Sequence, residues 1–286
     1  MKVKIITDSA ADLPIEIIQN YNIDVYPLYV NHGDKYYKDR QDLSPLELYE
    51  GMREGEEYTT SQVPVNDFVQ GFKQYAQKGG SYLYIAFSSK LSGTYQSAKL
   101  AQKQVENDYP DFDLNIIDSR CASLGLGMVV YKTAIAANEI DNREKVVDIA
   151  KKYCNQMEHI FTVDDLEYLV RGGRISKTKA FVGSILNIKP ILEVKEGKLL
   201  PLDKQRGRKK VFKKIIEIME ERGTDLGQQV IGISHGDDLE AAETIKGMIE
   251  DRFGCSKFII NTVGSVVGAH SGPGTLAVFF INENKK

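Results

Sequence analysis

The stretch SYLYIAFSSKLSGTYQSAK, residues 81–99, decides the fold. Its first part is an apolar run with the length and composition of a buried strand, and a helical pattern begins at about Tyr95. The loop between them carries the hydroxyl side chains of Ser88, Ser89, Ser92 and Thr94 around Gly93. A strand that leads through a short loop into a helix is the unit from which α/β proteins are built, so this stretch predicts a sheet covered by helices.

The first half of the chain repeats this unit. VKIIT (3–7), DVYPLYV (24–30) and LNIIDS (114–119) predict three more strands. The S-x-x-E pattern at Ser44 and Glu47 predicts the start of a helix. The stretch ASLGLGMVVYKTAIAA is apolar nearly all round, which indicates a buried helix. This alternation predicts a mostly parallel sheet with helices on both faces.

The pattern changes after about Asn155, where a hairpin centred on Glu196 and Gly197 and fewer, longer units follow. We therefore expect an α/β protein of two domains, an N-terminal parallel-sheet α/β/α domain (1–157) and a C-terminal α+β domain (158–286).

Composition excludes several classes of protein. The 286 residues carry a net charge of −3 with interspersed signs, which argues against a nucleic-acid-binding surface or a polybasic membrane anchor. The three cysteines form no CxxC and the four histidines no HxxxH, so we expect no metal site. The chain begins directly with a strand pattern and has no long apolar segment, so we expect a cytoplasmic protein with no stable membrane insertion.

Two hydroxyl-rich stretches are candidates for binding an anion. Ser92 and Thr94 lie where a helix begins, and unpaired backbone N–H groups at that end attract negative charge. Both residues could equally be simple helix caps. In TTSQVP, we expect one of Thr59, Thr60 and Ser61 to cap the following helix, but three consecutive hydroxyls exceed what capping requires.

Two further stretches are ambiguous by themselves. GAHSGPG places His270 in a predicted loop, where it is either a surface residue or a hydrogen-bond donor to a carboxylate in a cleft. RGGRISK is either a plain helix break or a loop that lets the backbone pass close to a partner.

The usual enzyme motifs are incomplete. KLSGT lacks the first glycine of the G-x-S-x-G elbow, and a nucleophilic serine at Ser92 needs a base, for which His235 and His270 are distant in sequence. No G-x-x-x-x-G-K-[ST] loop for nucleotide phosphates is present. GLGMVV lacks the third glycine of a dinucleotide fingerprint and lies inside a helical pattern, so helix packing explains it better.

Seven stretches in register resemble the DegV family, whose members include the fatty-acid-binding subunits of bacterial fatty acid kinase. They are IITDSAADLP, TTSQVP, SSKLSGTYQSA, IIDSRCASLGLG, LEYLVRGGRISK, IKPIL and GAHSGPGTLAVFF. The resemblance implies a two-domain fold with one long-chain fatty acid. Its acyl chain would lie in an apolar tunnel and its carboxylate between the domains.

The resemblance also implies which residues bind the carboxylate. They are Thr60 with Ser61, Ser92 with Gly93 and Thr94, Arg206, and His270. The chain departs from the family pattern in two places: Val63 precedes Pro64, and Gly207 follows Arg206 where a threonine is usual. The second departure makes Arg208 a rival of Arg206.

The expected function is therefore that of a carrier without catalytic residues. It would present its fatty acid to a separate ATP-dependent kinase subunit, and an acyltransferase of phospholipid synthesis would use the acyl phosphate. The alternative from another class is a serine-type hydrolase of lipid esters that uses Ser92. A transcriptional or degradation regulator is a third reading, but no basic recognition element supports it.

Overall fold

A computed structural model describes residues 2–176 and 188–285 of the chain. Lys177, the last residue of the RGGRISK stretch, lies outside them. The strands of the described residues are β1 (Val3–Asp8), β2 (Asp24–Tyr26), β3 (Tyr29–His32), β4 (Lys35–Lys38), β5 (Thr59–Ser61), β6 (Ser81–Ala86), β7 (Asp113–Asp118), β8 (Met157–Thr162), β9 (Ile188–Lys195), β10 (Lys198–Arg206), β11 (Val230–His235), β12 (Lys257–Thr262) and β13 (Leu276–Ile281).

The α-helices of the described residues connect these strands. They are α1 (Ile15–Asn20), α2 (Pro45–Arg53), α3 (Val65–Lys78), α4 (Thr94–Asp108), α5 (Ser123–Glu139), α6 (Arg143–Gln156), α7 (Glu167–Arg171), α8 (Arg208–Arg222), α9 (Leu239–Phe253) and α10 (Ser265–Ser271). The capping box predicted for α2 is present, since Ser44 and Glu47 bond to each other's backbone N–H groups.

The first sheet is parallel throughout, with the strand order β2-β1-β6-β7. Every residue of β6 is buried, as the continuous apolar run at residues 81–86 predicts for a strand covered on both faces. Because all four strands point the same way, the loops after β1, β6 and β7 meet at one edge of the sheet. The hydroxyl loop that follows β6 therefore opens at the edge where ligands of open α/β sheets bind.

The second sheet contains six strands in the order β10-β9-β8-β13-β11-β12. Among the described strands of this sheet, only β11 and β12 pair in parallel, and the predicted hairpin around Glu196 and Gly197 joins β9 to β10. One face of this sheet packs on α8 and α9 through a separate apolar cluster that includes Ile160, Val278 and Phe280. The opposite face of the sheet is not covered by α8 and α9.

The helix α5 lies between the two sheets and packs on both, with contacts to β1 on one side and to β8, β11 and β13 on the other. This explains why its sequence is apolar all round. Its glycines allow close packing: a Cβ at Gly125 would lie 2.2 Å from His159 Nε2, and one at Gly127 would lie 2.3 Å from the Ala11 carbonyl. The interpretation of GLGMVV as a packing feature is therefore confirmed.

A third sheet, in the order β4-β3-β5, was not anticipated. The stretch DVYPLYV was predicted to be one strand, but it divides at Pro27 into β2 and β3, which belong to different sheets. Proline supplies no N–H to a sheet ladder, so it is a natural point of division. The prediction that a hydroxyl of TTSQVP caps α3 is also wrong. Residues Thr59–Ser61 form β5, and no side chain caps α3.

The placement of His270 in a loop is wrong as well, since it occupies the last turn of the helix α10. Glycines and serines make this segment look like a loop, but tertiary contacts hold it helical. Gly268 packs so closely on α2 that an added Cβ would lie 2.6 Å from Tyr49 Oη, and Tyr49 in turn donates a hydrogen bond to the Val263 carbonyl. α10 therefore has a fixed position, and with it His270.

Candidate functional site

A cavity of about 360 Å³ lies between the carboxyl-end loops of the first sheet and the free face of the second sheet. This volume falls within the ~300–1,000 Å³ typical of small-molecule sites. Most of its wall is apolar, with side chains mainly from the loops that follow the strands of the first sheet, from the second sheet and from α10: Leu28, Phe87, Leu91, Ala122, Phe161, Leu169, Val194, Leu199, Val263, Val266, Val267, Ala277 and Phe279.

The strand register explains why the second sheet contributes apolar side chains to this wall. Phe161 of β8 pairs with Ala277 of β13, and His159 pairs with Phe279 two residues further along each strand. Residues at spacing two share one face of a sheet, so all four face the cavity. The cavity therefore lies on the face of the second sheet opposite to the one that α8 and α9 cover.

Polar side chains of TTSQVP, the hydroxyl loop and α10 form one part of the wall, called the polar wall below, and Ser123, His159, Ser234 and Thr275 also line the cavity. Thr60 of β5 and His270 of α10 are joined by a contact of 2.6 Å between Thr60 Oγ1 and His270 Nε2. Ser61, Ser92 and Gly93 line the cavity too. Two stretches that lie 210 residues apart in the chain, TTSQVP and GAHSGPG, thus meet side chain to side chain.

The TTSQVP stretch is locked to the hydroxyl loop by two hydrogen bonds. Gln62 Nε2 donates to Ser97 Oγ over 2.6 Å, and the Val63 N–H donates to Thr94 Oγ1 over 3.4 Å. Gly93 makes room for the Gln62 amide, because an added Cβ would lie 1.9 Å from Gln62 Oε1. The T-S-Q segment and the S-G-T segment are therefore held together by hydrogen bonds and close packing.

Ser92 and Thr94 do different things. Ser92 Oγ accepts a hydrogen bond from the Thr94 N–H over 3.2 Å and lies 2.9 Å from Thr94 Oγ1. Ser92 lines the cavity, whereas Thr94 is fully buried and is not among the lining residues. Thr94 thus supports the loop from behind, and Ser92 presents its hydroxyl to the cavity.

Arg174 is a lining residue that the sequence reasoning did not select. Its Nε donates to the Leu91 carbonyl over 3.1 Å, and its Nη1 donates to the Gly172 carbonyl over 2.6 Å. Within the described residues, these bonds use two of the five N–H donors of the guanidinium, which borders the cavity. This arginine belongs to the RGGRISK stretch, for which the sequence predicts a plain helix break or a loop that passes close to a partner.

Burial, and to a lesser extent the neighbouring Arg174 guanidinium, lower the pKa of His270 to about 3. The imidazole is therefore neutral near pH 7, and only one of its nitrogens carries a proton. Gly172 fixes the ring from the other side, since an added Cβ there would lie 2.1 Å from His270 Nδ1. The pair Thr60–His270 is thus a neutral, preorganised hydrogen-bonding unit beside one cation.

The predicted arginine, Arg206, and its rival Arg208 lie elsewhere. Arg206 is exposed at the end of β10, an edge strand, and is not among the residues that line the cavity. Its rival Arg208 is engaged in an ion pair with Asp238 and donates to the Gly274 carbonyl over 3.1 Å. The structure therefore brings together Thr60, Ser61, Ser92, Gly93 and His270, places Thr94 behind them, and leaves Arg206 on the surface.

Buried carboxyl groups lie behind the cavity wall. Burial raises the pKa of Asp8 to about 6, that of Asp12 to about 7 and that of Asp39 to about 6. Asp12 accepts a hydrogen bond of 2.6 Å from Ser123, which itself lines the cavity. Asp12 adopts a left-handed backbone conformation and is buried.

Within residues 2–176 and 188–285, no group of three or more metal-ligating side chains is arranged to hold an ion. Over the same residues, every helix is too short or too polar to cross a bilayer.

Comparison with known proteins accounts for this arrangement. The family model described as "Uncharacterised protein, DegV family" matches residues 2–283. The chain belongs to the DegV family. A DegV domain-containing protein of Clostridium perfringens is 41% identical over 288 residues, which span 100% of this chain and 99% of the relative. The predicted resemblance is therefore confirmed over the whole chain.

Two solved DegV structures share the fold. One is a DegV family protein from Thermus thermophilus whose structure is described as showing fatty acid binding. Its TM-score is 0.89 at 30% identity, and the match covers 99% of this chain and 100% of the Thermus thermophilus chain. The other is DegV from Bacillus subtilis, described as a fatty acid binding protein, with a TM-score of 0.85 at 29% identity and 99% coverage of both chains. The predicted fold class is confirmed.

Proposed function

We propose that this protein binds one long-chain fatty acid in the cavity between its sheets and presents the carboxylate to a separate ATP-dependent kinase. The observation that carries the proposal is the composition of the cavity wall. Apolar side chains make up most of it, and beside them lie hydrogen-bond donors and one cation, among them Thr60, Ser61, Ser92, His270 and Arg174. The fatty acid binding described for the Thermus thermophilus and Bacillus subtilis proteins supports it.

The apolar part of the wall supplies the affinity in this proposal. A chain with ~14 methylene groups gains ~11 kcal/mol when each buried CH2 contributes ~0.8 kcal/mol. Association itself costs ~4–15 kcal/mol, so the acyl chain offsets most of that cost and additional head-group contacts are needed for tight binding. These contacts also fix which end of the ligand faces the polar wall.

The polar wall is suited to a carboxylate. A buried ionised carboxylate is costly unless it accepts hydrogen bonds, and charge-assisted bonds are the strong ones. In the proposed complex, Ser92, Thr60 and Arg174 donate to the two carboxylate oxygens, and Gly93 lets the loop approach closely. An anion beside His270 raises the pKa of its imidazole, so the ring can become a second cation in the loaded protein.

The rival function, a serine hydrolase, is not favoured by the geometry. The contacts of the Ser92 hydroxyl within the described residues are with Thr94, and His270 contacts Thr60 instead. A nucleophilic serine needs a base within hydrogen-bond reach. Neutral hydroxyl donors without such a base can hold a carboxylate, or the same oxygens after phosphorylation, without forming a bond to the protein.

The kinase, and the acyltransferase that would use an acyl phosphate, are the partners in this proposal. In this proposal Arg206 is a cation that contacts a partner protein, because it is exposed and does not line the cavity. Arg206→Ala is therefore expected to keep the fatty acid and to lose kinase-dependent acyl phosphate formation. The same measurements on Arg208→Ala show which of the two arginines, Arg206 or Arg208, acyl phosphate formation requires.

The test measures lipid occupancy and acyl phosphate formation on the same preparations, with a cognate kinase and ATP. Ser92→Ala is expected to weaken both, because it removes a donor to the carboxylate. Labelling by a fluorophosphonate, or turnover of lipid esters that Ser92→Ala abolishes, would instead establish the hydrolase.

A further inference from the structure

The Ser271 hydroxyl differs from the other hydroxyls of the cavity wall. Within residues 2–176 and 188–285, Ser271 Oγ is buried and makes no hydrogen bond, although the residue lines the cavity. Ser271 is 5% exposed and is the last residue of α10. A buried polar group without a partner costs free energy, and native proteins keep few of them. A ligand that offers a hydrogen-bond partner to this hydroxyl removes that cost.

The other serine and threonine hydroxyls of the wall are engaged by the protein. Each lies within hydrogen-bond distance of another protein group: Thr60, Ser61, Ser92, Ser123, Ser234 and Thr275. Thr275 Oγ1 donates to the Ser271 carbonyl over 2.9 Å, so the backbone of Ser271 is bonded whereas its hydroxyl is not. An unpaired hydroxyl among engaged ones indicates a group whose partner comes with the ligand.

The position of Ser271 on α10 shows which part of a bound acid it would meet. Residues four apart share one face of a helix, so Ser271 lies on the face of Val267, which also lines the cavity. It follows His270 directly, with their Cα atoms ~3.8 Å apart and their side chains ~100° apart around the helix. Ser271 therefore lies beside the Thr60–His270 pair rather than within it. A carboxylate at the polar wall then places the first carbons of the acyl chain at Ser271.

We propose that Ser271 forms a subsite for a hydroxyl group on carbon 3 of the bound acid, so that the ligands of this cavity include 3-hydroxy fatty acids. This rests on the proposed function, because it specifies the lipid that the cavity holds. A hydroxyl on carbon 3 lies about as far from its carboxylate as Ser271 lies from His270. Each hydroxyl can donate one hydrogen bond and accept others, so the two can pair in either direction.

The subsite makes the cavity selective for configuration. Carbon 3 of a 3-hydroxy acid is a stereocentre, and Ser271 lies on one side of the chain. One enantiomer therefore directs its hydroxyl to Ser271, whereas the other directs it elsewhere and loses this partner. An unsubstituted acid offers only a methylene group at the same place and leaves the Ser271 hydroxyl unpaired.

The experiment measures the affinity of the full-length protein for palmitate and for the two enantiomers of 3-hydroxypalmitate by calorimetry. The parent is expected to bind one enantiomer about tenfold more tightly than the other, since the disfavoured one buries an unpaired hydroxyl. Ser271→Ala is expected to weaken the favoured enantiomer about tenfold relative to palmitate and to abolish the difference between the enantiomers. Ser271→Cys keeps the size of the side chain and offers only a weak thiol donor, so it should do the same if Ser271→Ala fails to fold.

A matched control comes from the same helix. Ser265→Ala removes a buried hydroxyl of α10 that donates to the Leu43 carbonyl and does not belong to the cavity wall. This variant should keep the affinity ratios of the parent. The affinity for 10-hydroxypalmitate, whose hydroxyl is far from the carboxylate, should not depend on the Ser271 hydroxyl.

The outcomes separate the subsite from the proposed function. Equal losses for palmitate and 3-hydroxypalmitate in Ser271→Ala would show that the hydroxyl binds the carboxylate itself and would overturn the subsite. An enantiomer ratio that survives the substitution, or a parent without any enantiomer preference, would overturn it too. A dependence on Ser271 for 10-hydroxypalmitate would overturn the assignment to carbon 3. A protein that binds neither palmitate nor 3-hydroxypalmitate would instead contradict the proposed function.

Discussion

The hydroxyl of Thr60 provides the sharpest test of the polar wall. Thr60→Val removes only that hydroxyl, since valine has nearly the same shape and is equally suited to a strand. The hydroxyl lies 2.6 Å from His270 Nε2 and borders the cavity. If it donates to a bound carboxylate, its loss costs ~1.5–3 kcal/mol, the range for hydrogen bonds to charged groups. The dissociation constant of palmitate should then rise ~10–100-fold.

The assay compares palmitate with hexadecanol, which has the same chain length but an uncharged head. A hydrogen bond between neutral groups contributes only ~0.5–1.5 kcal/mol, so the loss for hexadecanol should stay below about tenfold. Thr244→Val on the exposed face of α9 controls for the substitution itself, because that hydroxyl bonds only within its helix. Equal losses for the two ligands, or none for palmitate, would refute a carboxylate at Thr60.

Three further outcomes follow from the structure. Gly93→Ala should destabilise the protein and weaken palmitate binding, because an added Cβ lies 1.9 Å from Gln62 Oε1; Gly247→Ala on α9, where a Cβ meets no atom within 4 Å, should do neither. His159→Gln should change the pH dependence of unfolding measured by chemical denaturation. Burial lowers the pKa of His159 to about 3 from its ordinary 6.5, so the parent loses stability as pH falls through this window, by up to about 1.4 kcal/mol per pH unit, and the variant should not. If the free energies of unfolding of the parent and of His159→Gln differ by the same amount at every pH in that window, a buried neutral imidazole at His159 is excluded. Ala277→Leu adds three carbons to the cavity wall and should shift the preferred ligand towards shorter acids, at ~0.8 kcal/mol for each CH2 excluded; an unaltered chain-length profile would place the acyl chain elsewhere.

Much of the fold could be predicted because local patterns and global structure agree in the first half of the chain. The run at residues 81–86 is apolar without alternation, and β6 is a central strand buried on both faces. The apolar helix α5 likewise had to be buried, although its position between two sheets depends on contacts that no short window contains. The third sheet was missed because β3 and β5 pair across some thirty residues, and three-residue strands carry almost no pattern.

The site could be predicted in part, and mainly through the family resemblance. TTSQVP and the hydroxyl loop were recognised separately, but their union through Gln62 and Gly93 depends on tertiary packing. The helix at His270 was missed because its glycines and serines have low helix propensity, and it is the contact with Tyr49 that keeps the segment helical. Arg174 was missed because a glycine-rich break gives no sign of where a flanking arginine will point.

The central claim is that the cavity holds a fatty acid, and mass spectrometry of the purified protein tests it most directly. Native and denaturing spectra of the same sample should differ by roughly 250–290 Da per chain, the mass of an acid with 16–18 carbons whose buried CH2 groups keep it bound through purification. Organic extraction should release that acid intact and in equimolar amount. Equal masses in both spectra, in preparations that also fail to take up added palmitate, would contradict the account.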